Sequence, residues 1–309
     1  MSLAVLLSGQ GGQHAGMFAL TQALDAAQPV FAAAATLLGG TDPRDLVRAG
    51  GPALHGNRTG QILCCVAALS AWEMLRPVLP SRSILAGYSI GDLAAWGCAG
   101  RLPPETVLRL AAARAEAMDA ASGDGFGLAG IRGLSGERAG ALAEAEGCHV
   151  AIRNAPDSVV VGGPADALGR LVAAATAAGA QRAVLLPVHT PSHTPVLAAA
   201  TDRFREVLGA TAFQRPPPGA PRLLSGLDGA AVFDARAGAE KLARQISETI
   251  DWAACLGACR EYGATTCLEL GPGHALATMA RTAMPDARVH ALEDFRSGDG
   301  LRAWIGSAT

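Results

Sequence analysis

The stretch Ile84-Leu-Ala-Gly-Tyr-Ser-Ile-Gly-Asp-Leu93, "ILAGYSIGDL", sets an apolar run against a serine held between two glycines. The pattern Gly87-Tyr-Ser-Ile-Gly91 fits G-x-S-x-G. There, small residues on both sides let a strand turn abruptly into a helix and leave the serine oxygen exposed, with a backbone N–H aimed at the reacting atom. Glycine makes up 38 of the 309 residues, so the motif alone is compatible with an ordinary glycine-rich loop, and its flanks decide the reading. The preceding run has strand character. The following "DLAAWGCAG" can begin a helix with Asp92 in its first turn, where the helix dipole favours a carboxylate. Ser89 is therefore a candidate nucleophile on a strand-to-helix turn.

Apolar runs at Ala4 to Leu7, Ser83 to Ala86 and Thr266 to Leu270, each with a glycine within the next two residues, alternate with long helical patterns. This predicts an α/β fold with a largely parallel sheet flanked by helices. Half of the residues are hydrophobic and 17% are charged, so a sizeable core is available and disorder is not expected. The net charge of −2 gives no basic excess, which argues against nucleic acid and anionic membranes as partners. The N-terminal "MSLAVLLSGQ" has no preceding positive charge and too short an apolar run for a signal peptide or a span. Together with seven cysteines lacking any C-x-x-C pair, this predicts a reduced, cytoplasmic protein. Cys255 and Cys259 fall one helical turn apart but lack neighbouring ligands, so no metal site is expected. Lysine occurs once, as Lys241, which makes lysine-based catalysis hard to stage.

The middle of the chain changes rhythm. Phe126 to Gly133 reads as a strand, Ser135 to Glu146 as a helix capped by Ser135, and His149 to Asn154 and Ser158 to Val161 as strands around an Asn-Ala-Pro-Asp turn. Ala165 to Ala178 then reads as a helix and Arg182 to Val188 as a strand. This β-α-β-β-α-β order predicts an inserted ferredoxin-like small domain over 126–195, with 1–125 and 196–309 forming the larger α/β domain. The first and last strands of such a unit lie side by side, so its entry and exit should meet at one neck.

Three further features carry candidate chemistry. "GQGGQ", Gly9 to Gln13, would present successive backbone N–H groups after the first strand, either as a plain tight turn or as an oxyanion contributor. It lacks the G-K-[ST] of a P-loop and the third glycine of a dinucleotide fingerprint. Arg114 shares an apolar helical stripe with Val107, Leu110, Ala111 and Met118, whereas Glu105, Arg109, Glu116 and Asp119 share a polar face. An inward guanidinium needs an anion, which could be a protein carboxylate or a substrate carboxylate. Seven histidines are available as a base, and "VHTPSHTP" places His189 and His193 at the expected neck, where Arg114 should also arrive.

Taken together, Gly9 to Gln13, Gly87 to Gly91, the "ARAEAM" segment around Arg114, Pro191-Ser-His193, Gln245 and Gly271-Pro-Gly273 resemble the malonyl-CoA:acyl carrier protein transacylase family. They do so in the same order and over nearly the whole chain. The resemblance implies a hydrolase-like domain with a ferredoxin-like insertion and an active site in the cleft between them. It implies Ser89 as nucleophile, His193 as base, the backbone N–H groups of Gln10 and Ile90 as oxyanion hole, and Arg114 as the holder of the malonyl carboxylate. Gln245 would orient the histidine through its main-chain carbonyl, giving a Ser-His dyad. Gln61 and Asn154 match further segments that line the cleft.

Two departures stand out. Tyr88 occupies a position where the family usually has histidine, and Ser8 one where it usually has proline. Tyr88 resembles the epsilon subunit of malonate decarboxylase, which moves malonyl from CoA to a dedicated carrier subunit. The partners implied are malonyl-CoA and an acyl carrier protein, with no metal or redox cofactor. A serine hydrolase, such as a thioesterase or esterase, shares the elbow but has no need of Arg114. A non-catalytic carrier-binding scaffold would have no need of Ser89.

Overall fold

Strands and helices alternate through the computed structural model, which describes residues 2–307. The first part carries β1 (Leu3–Leu7), α1 (Gln28–Leu37), α2 (Pro43–Ala49), α3 (Asn57–Leu75), β2 (Ser83–Gly87), α4 (Ile90–Cys98) and α5 (Pro104–Ser122). The middle carries β3 (Phe126–Arg132), α6 (Gly136–Ala145), β4 (His149–Ala155), β5 (Ser158–Pro164), α7 (Ala165–Ala177) and β6 (Arg182–Leu185). The last part carries α8 (Ala198–Gly209), β7 (Arg222–Leu223), α9 (Ala235–Arg244), β8 (Ile250–Asp251), α10 (Trp252–Glu261), β9 (Thr266–Leu270), α11 (Ala275–Ala283), β10 (Arg288–Ala291) and α12 (Gly298–Gly306).

The first sheet has the order β10-β9-β1-β2-β7, and every pairing in it is parallel. Its central strands are buried on both faces, so they read as unbroken apolar runs rather than alternating ones. Leu3, Val5 and Leu7 pack into the core shared with α3, α4 and α5. Ala4 and Leu6 face the opposite core, with Trp252, Cys255 and Leu276. The segment Asn57–Val78 is long and apolar enough to cross a bilayer, yet it is mostly buried inside the fold. Cys255 and Cys259 are free and buried, and burial pushes the Cys259 thiol up to about 12.

The second sheet has the order β6-β3-β5-β4-β8. β3 pairs antiparallel with both β5 and β6, so the ends of the β-α-β-β-α-β unit are neighbours. The β3–β6 ladder stops at Leu185 rather than Val188. Leu186 still donates its N–H to Leu128 O at 2.8 Å, but Pro187 has no N–H to continue the ladder. Conversely, β5 runs past Val161 to Pro164, through Gly162 and Gly163. A Cβ on Gly163 would lie 2.6 Å from Cys148 Sγ, and one on Gly162 2.7 Å from Thr194 Cγ2. These glycines are there for close packing, not for a turn. The two-residue β8, from outside 126–195, adds a parallel pairing to β4 at Ile152↔Ile250.

Candidate active site

Three loops leave the first sheet at one level. Leu7 pairs with Gly87 on one side and with Leu270 on the other, so Gly9–Gln13, Tyr88–Ile90 and Gly271–Gly273 all begin at the carboxyl ends of adjacent parallel strands. Ligands of open α/β sheets bind at this end. Ser89 sits at φ 54°, ψ −120°, a left-handed conformation that a non-glycine residue holds only when its surroundings enforce it. The two flanking glycines permit the turn. A Cβ on Gly87 would lie 2.2 Å from Asp92 N, and one on Gly91 2.1 Å from Leu7 O. Gly91→Ala is therefore expected to lower the unfolding free energy by about 3 kcal/mol, read as a clear fall in the denaturant midpoint, and to cut activity in whatever fraction remains folded. A wild-type midpoint would contradict this packing.

His193 is 2% exposed and also has positive φ, 64°, pinned by its N–H to Ile246 O at 2.8 Å. Its Nδ1 faces the main-chain oxygen of Gln245 and its Nε2 lies 2.8 Å from Ser89 Oγ. A carbonyl oxygen can only accept, so Nδ1 carries the proton and Nε2 is the free acceptor for the serine O–H. Burial, helped by the nearby Arg114 charge, lowers the His193 pKa to about 3. The imidazole is thus a neutral base at neutral pH. His189, the other candidate at the neck, is exposed.

Arg114 is 1% exposed. Its Nη1 donates to Gln61 Oε1 at 2.7 Å and its Nη2 to Ser89 Oγ at 3.4 Å, while the buried Nε has no partner. No carboxylate pairs with it among the described residues, although Asp92 is near enough to act on its charge. Burial pulls its pKa to about 10, which leaves it charged at neutral pH. Gln61 is held in turn by donating from Nε2 to Asn57 Oδ1 at 2.8 Å.

The Gly9–Gln13 loop is wedged against the elbow: a Cβ on Gly9 would lie 2.9 Å from Tyr88 O and 3.6 Å from Ser89 Cβ. Gln10 ties this loop to α3 by donating to Asn57 O at 3.2 Å. Ile90 is the first residue of α4, so its N–H has no intrahelical acceptor. A cavity of about 380 Å³ opens beside this loop, lined by Gln10, Asn57, Val188 and Thr190 among others; Ser89, His193 and Arg114 do not line it. From the second sheet, Asn154 Oδ1 accepts the Tyr88 O–H at 3.1 Å, and the Tyr88 ring packs edge-on against Trp252, centroids 5.3 Å apart. This brings a serine, a neutral histidine, a guanidinium without a carboxylate partner and the first N–H of α4 together, a set suited to acyl transfer onto oxygen with an anionic acyl group.

Ser89, His193, Arg114, Gln61 and Gln245 are joined by direct contacts, whereas Asn154 reaches the elbow only through Tyr88. Asp92 was legible as a first-turn helix residue, but it also accepts at 2.8 Å from Gln245 Nε2 and at 2.9 Å from the Gly226 N–H. No sequence signal ties residues so distant in the chain.

An acyl transferase domain profile matches residues 5–288. The malonyl CoA-acyl carrier protein transacylase of Salmonella typhimurium is 30% identical over 302 residues, covering 94% of this chain and 96% of its own. An acyl-carrier-protein S-malonyltransferase structure from Burkholderia pseudomallei superposes with a TM-score of 0.89 at 28% identity, covering 98% of this chain and 100% of that one. A malonyl-transacylase solved in complex with its type II PKS acyl-carrier protein gives 0.89 at 28% identity, covering 97% and 98%.

Proposed function

Because this chain belongs to the acyl transferase domain family, we propose that it moves a malonyl group from CoA to the thiol of an acyl carrier protein through a malonyl ester on Ser89. Ser89 Oγ attacks the thioester carbonyl as His193 Nε2 takes its proton. The N–H groups of Gln10 and Ile90 receive the oxyanion, each such donor lowering the barrier by about 3 kcal/mol. The tetrahedral species collapses with loss of CoA thiolate, which takes the proton back from His193. The carrier thiol then gives its proton to His193, attacks the ester carbonyl and releases Ser89. The Gln245 carbonyl keeps the imidazole in the reactive tautomer, the place a carboxylate fills in a triad.

The observation that carries this reading is the Arg114 guanidinium, charged, buried and without a carboxylate, donating to the very oxygen that would carry the acyl group. An acyl chain ending in a carboxylate a few atoms from Ser89 Oγ satisfies it, and a neutral acyl chain leaves it bare. The names of the relatives point to the same substrate pair. Transfer of labelled malonyl from CoA tests the proposal: label should pass to holo-carrier protein much faster than to free malonate. Release to water at a comparable rate, with or without carrier, would favour a serine hydrolase.

A narrower assignment, in which the acceptor is the carrier subunit of malonate decarboxylase, is supported by Tyr88 beside the nucleophile. Its test is preference for that carrier over a fatty-acid carrier protein.

The pH profile offers a further check. With His193 at about 3 in the free protein, kcat/KM should show no acid limb from about pH 6 down to about pH 4.5. A malonyl carboxylate on Arg114 cancels the charge that helps hold the imidazole down, so the acid limb of kcat should lie at higher pH than that of kcat/KM. Half-loss of kcat/KM near pH 6.5 would contradict the assigned base.

A further inference from the structure

A carboxyl group stands behind the dyad, one residue removed from it. Asp92 is 1% exposed, and its Oδ2 accepts from the Gly226 N–H at 2.9 Å and from Gln245 Nε2 at 2.8 Å. The same Gln245 presents its main-chain oxygen to His193 Nδ1. The carboxyl is wedged in place: a Cβ on Gly226 would lie 2.9 Å from Asp92 Oδ2 and 2.4 Å from Gly87 O.

Two oxygens in this contact have no donor. Asp92 Oδ1 and Gln245 Oε1 are both buried without a hydrogen-bond partner, on two side chains already joined by one N–H···O bond. Leaving buried acceptors unfilled is unfavourable, and burying a full negative charge beside them is more so. A proton on Asp92 Oδ1 removes the charge and supplies the missing donor, because a carboxylic acid and a primary amide can close a second hydrogen bond to each other.

The groups facing Asp92 set the pH range over which this proton is held. Arg114 on α5 favours the carboxylate, as do the Gly226 N–H and Gln245, while Asp228 beyond β7 opposes it. Cys255 on α10 lies close enough for the two to interact. Lys241 engages Asp228 at 2.6 Å. Desolvation outweighs the rest and raises the pKa to about 7.

We propose that Asp92 is a positioning residue for the dyad, acting as a neutral acid that fixes the Gln245 side chain and thereby the main-chain oxygen that orients the His193 ring. This rests on the reading of Ser89 and His193 as the reacting pair. Where a triad places a charged carboxylate against the imidazole, this site places a neutral carboxyl behind an amide.

The test compares wild type, Asp92→Ala and Asp92→Asn. Alanine removes both contacts and should lower kcat about 30- to 100-fold with KM for malonyl-CoA within about twofold. Asparagine keeps an acceptor for Gly226 and Gln245 Nε2 and offers an N–H to Gln245 Oε1, so it should restore kcat to within about threefold of wild type. Stability provides an independent reading that does not require the alanine variant to fold. The native Asp92 pKa of about 7 lies above its ordinary value of 3.8. The folded state therefore binds the extra proton between these pH values, and the stability contributed by this group falls as pH rises from about 4 to about 7. Asparagine lacks that dependence, so its denaturant midpoint should gain on wild type across the same window. Asparagine as damaging as alanine, alanine with wild-type kcat, or a midpoint difference independent of pH would each overturn the proposal. Failure of wild type to acylate Ser89 would instead overturn the underlying reading of the site.

Discussion

Ser89→Ala is expected to lower malonyl transfer by about 10⁴- to 10⁶-fold in kcat, the range in which loss of a serine nucleophile leaves only binding and oxyanion stabilisation. The substitution keeps the Cβ and with it the steric penalty of the backbone conformation at φ 54°. Ser89→Gly should be equally inactive but more stable than Ser89→Ala by about 1 kcal/mol, because glycine adopts positive φ without the steric penalty that any Cβ carries there. Activity and melting temperature measured on the same two variants separate the roles. If Ser89→Ala retained more than about a hundredth of the wild-type rate, Ser89 could not be the atom that carries the acyl group. If Ser89→Gly were no more stable than Ser89→Ala, the elbow would store no strain.

Arg114→Ala carries the second large effect and a change of sign between substrates. A charged acyl group should lose the guanidinium that its carboxylate engages, and kcat/KM for malonyl-CoA should fall by about 10²- to 10³-fold, the usual consequence of removing one partner of a buried charge pair. Acetyl-CoA brings no carboxylate, so in the wild type it leaves Arg114 buried and unpaired. Its kcat/KM should rise in the variant. Arg114→Lys should not rescue malonyl transfer fully, because a single ammonium cannot hold Gln61 and a carboxylate in the fixed fork of a guanidinium. The comparison of malonyl-CoA with acetyl-CoA in steady-state assays decides the point. An unchanged ratio between the two would remove Arg114 from acyl recognition and reopen the hydrolase reading.

Several parts of this architecture are legible in the sequence because they depend on local pattern. The elbow is carried by two glycines whose missing side chains make room for Asp92 N and Leu7 O. The insertion is carried by alternating periods and by Ser135, whose side chain does accept from the Arg138 N–H. Arg114 shows itself by interrupting an apolar stripe. What sequence left open were matters of partnership across the chain. Local pattern does not say whether Arg114 meets a protein carboxylate; α3 and α5 place Gln61, an amide, against it.

The choice among seven histidines likewise needed the fold, since His189 and His193 share one loop and only His193 turns inward. β7 and β8, of two residues each, are too short to carry any period. Asp92 obeys a local rule for helix starts, and that rule hid its tertiary role beside Gln245.

The central claim is that Ser89 becomes covalently malonylated, and it is tested most directly by intact-mass measurement of the protein after brief exposure to malonyl-CoA, with peptide mapping of any adduct. The mass of the wild type is expected to rise by one malonyl group located on the peptide containing Ser89, and the rise should vanish when carrier-protein thiol is added. No adduct after exposure to malonyl-CoA without carrier, or an adduct at any other residue, would contradict it.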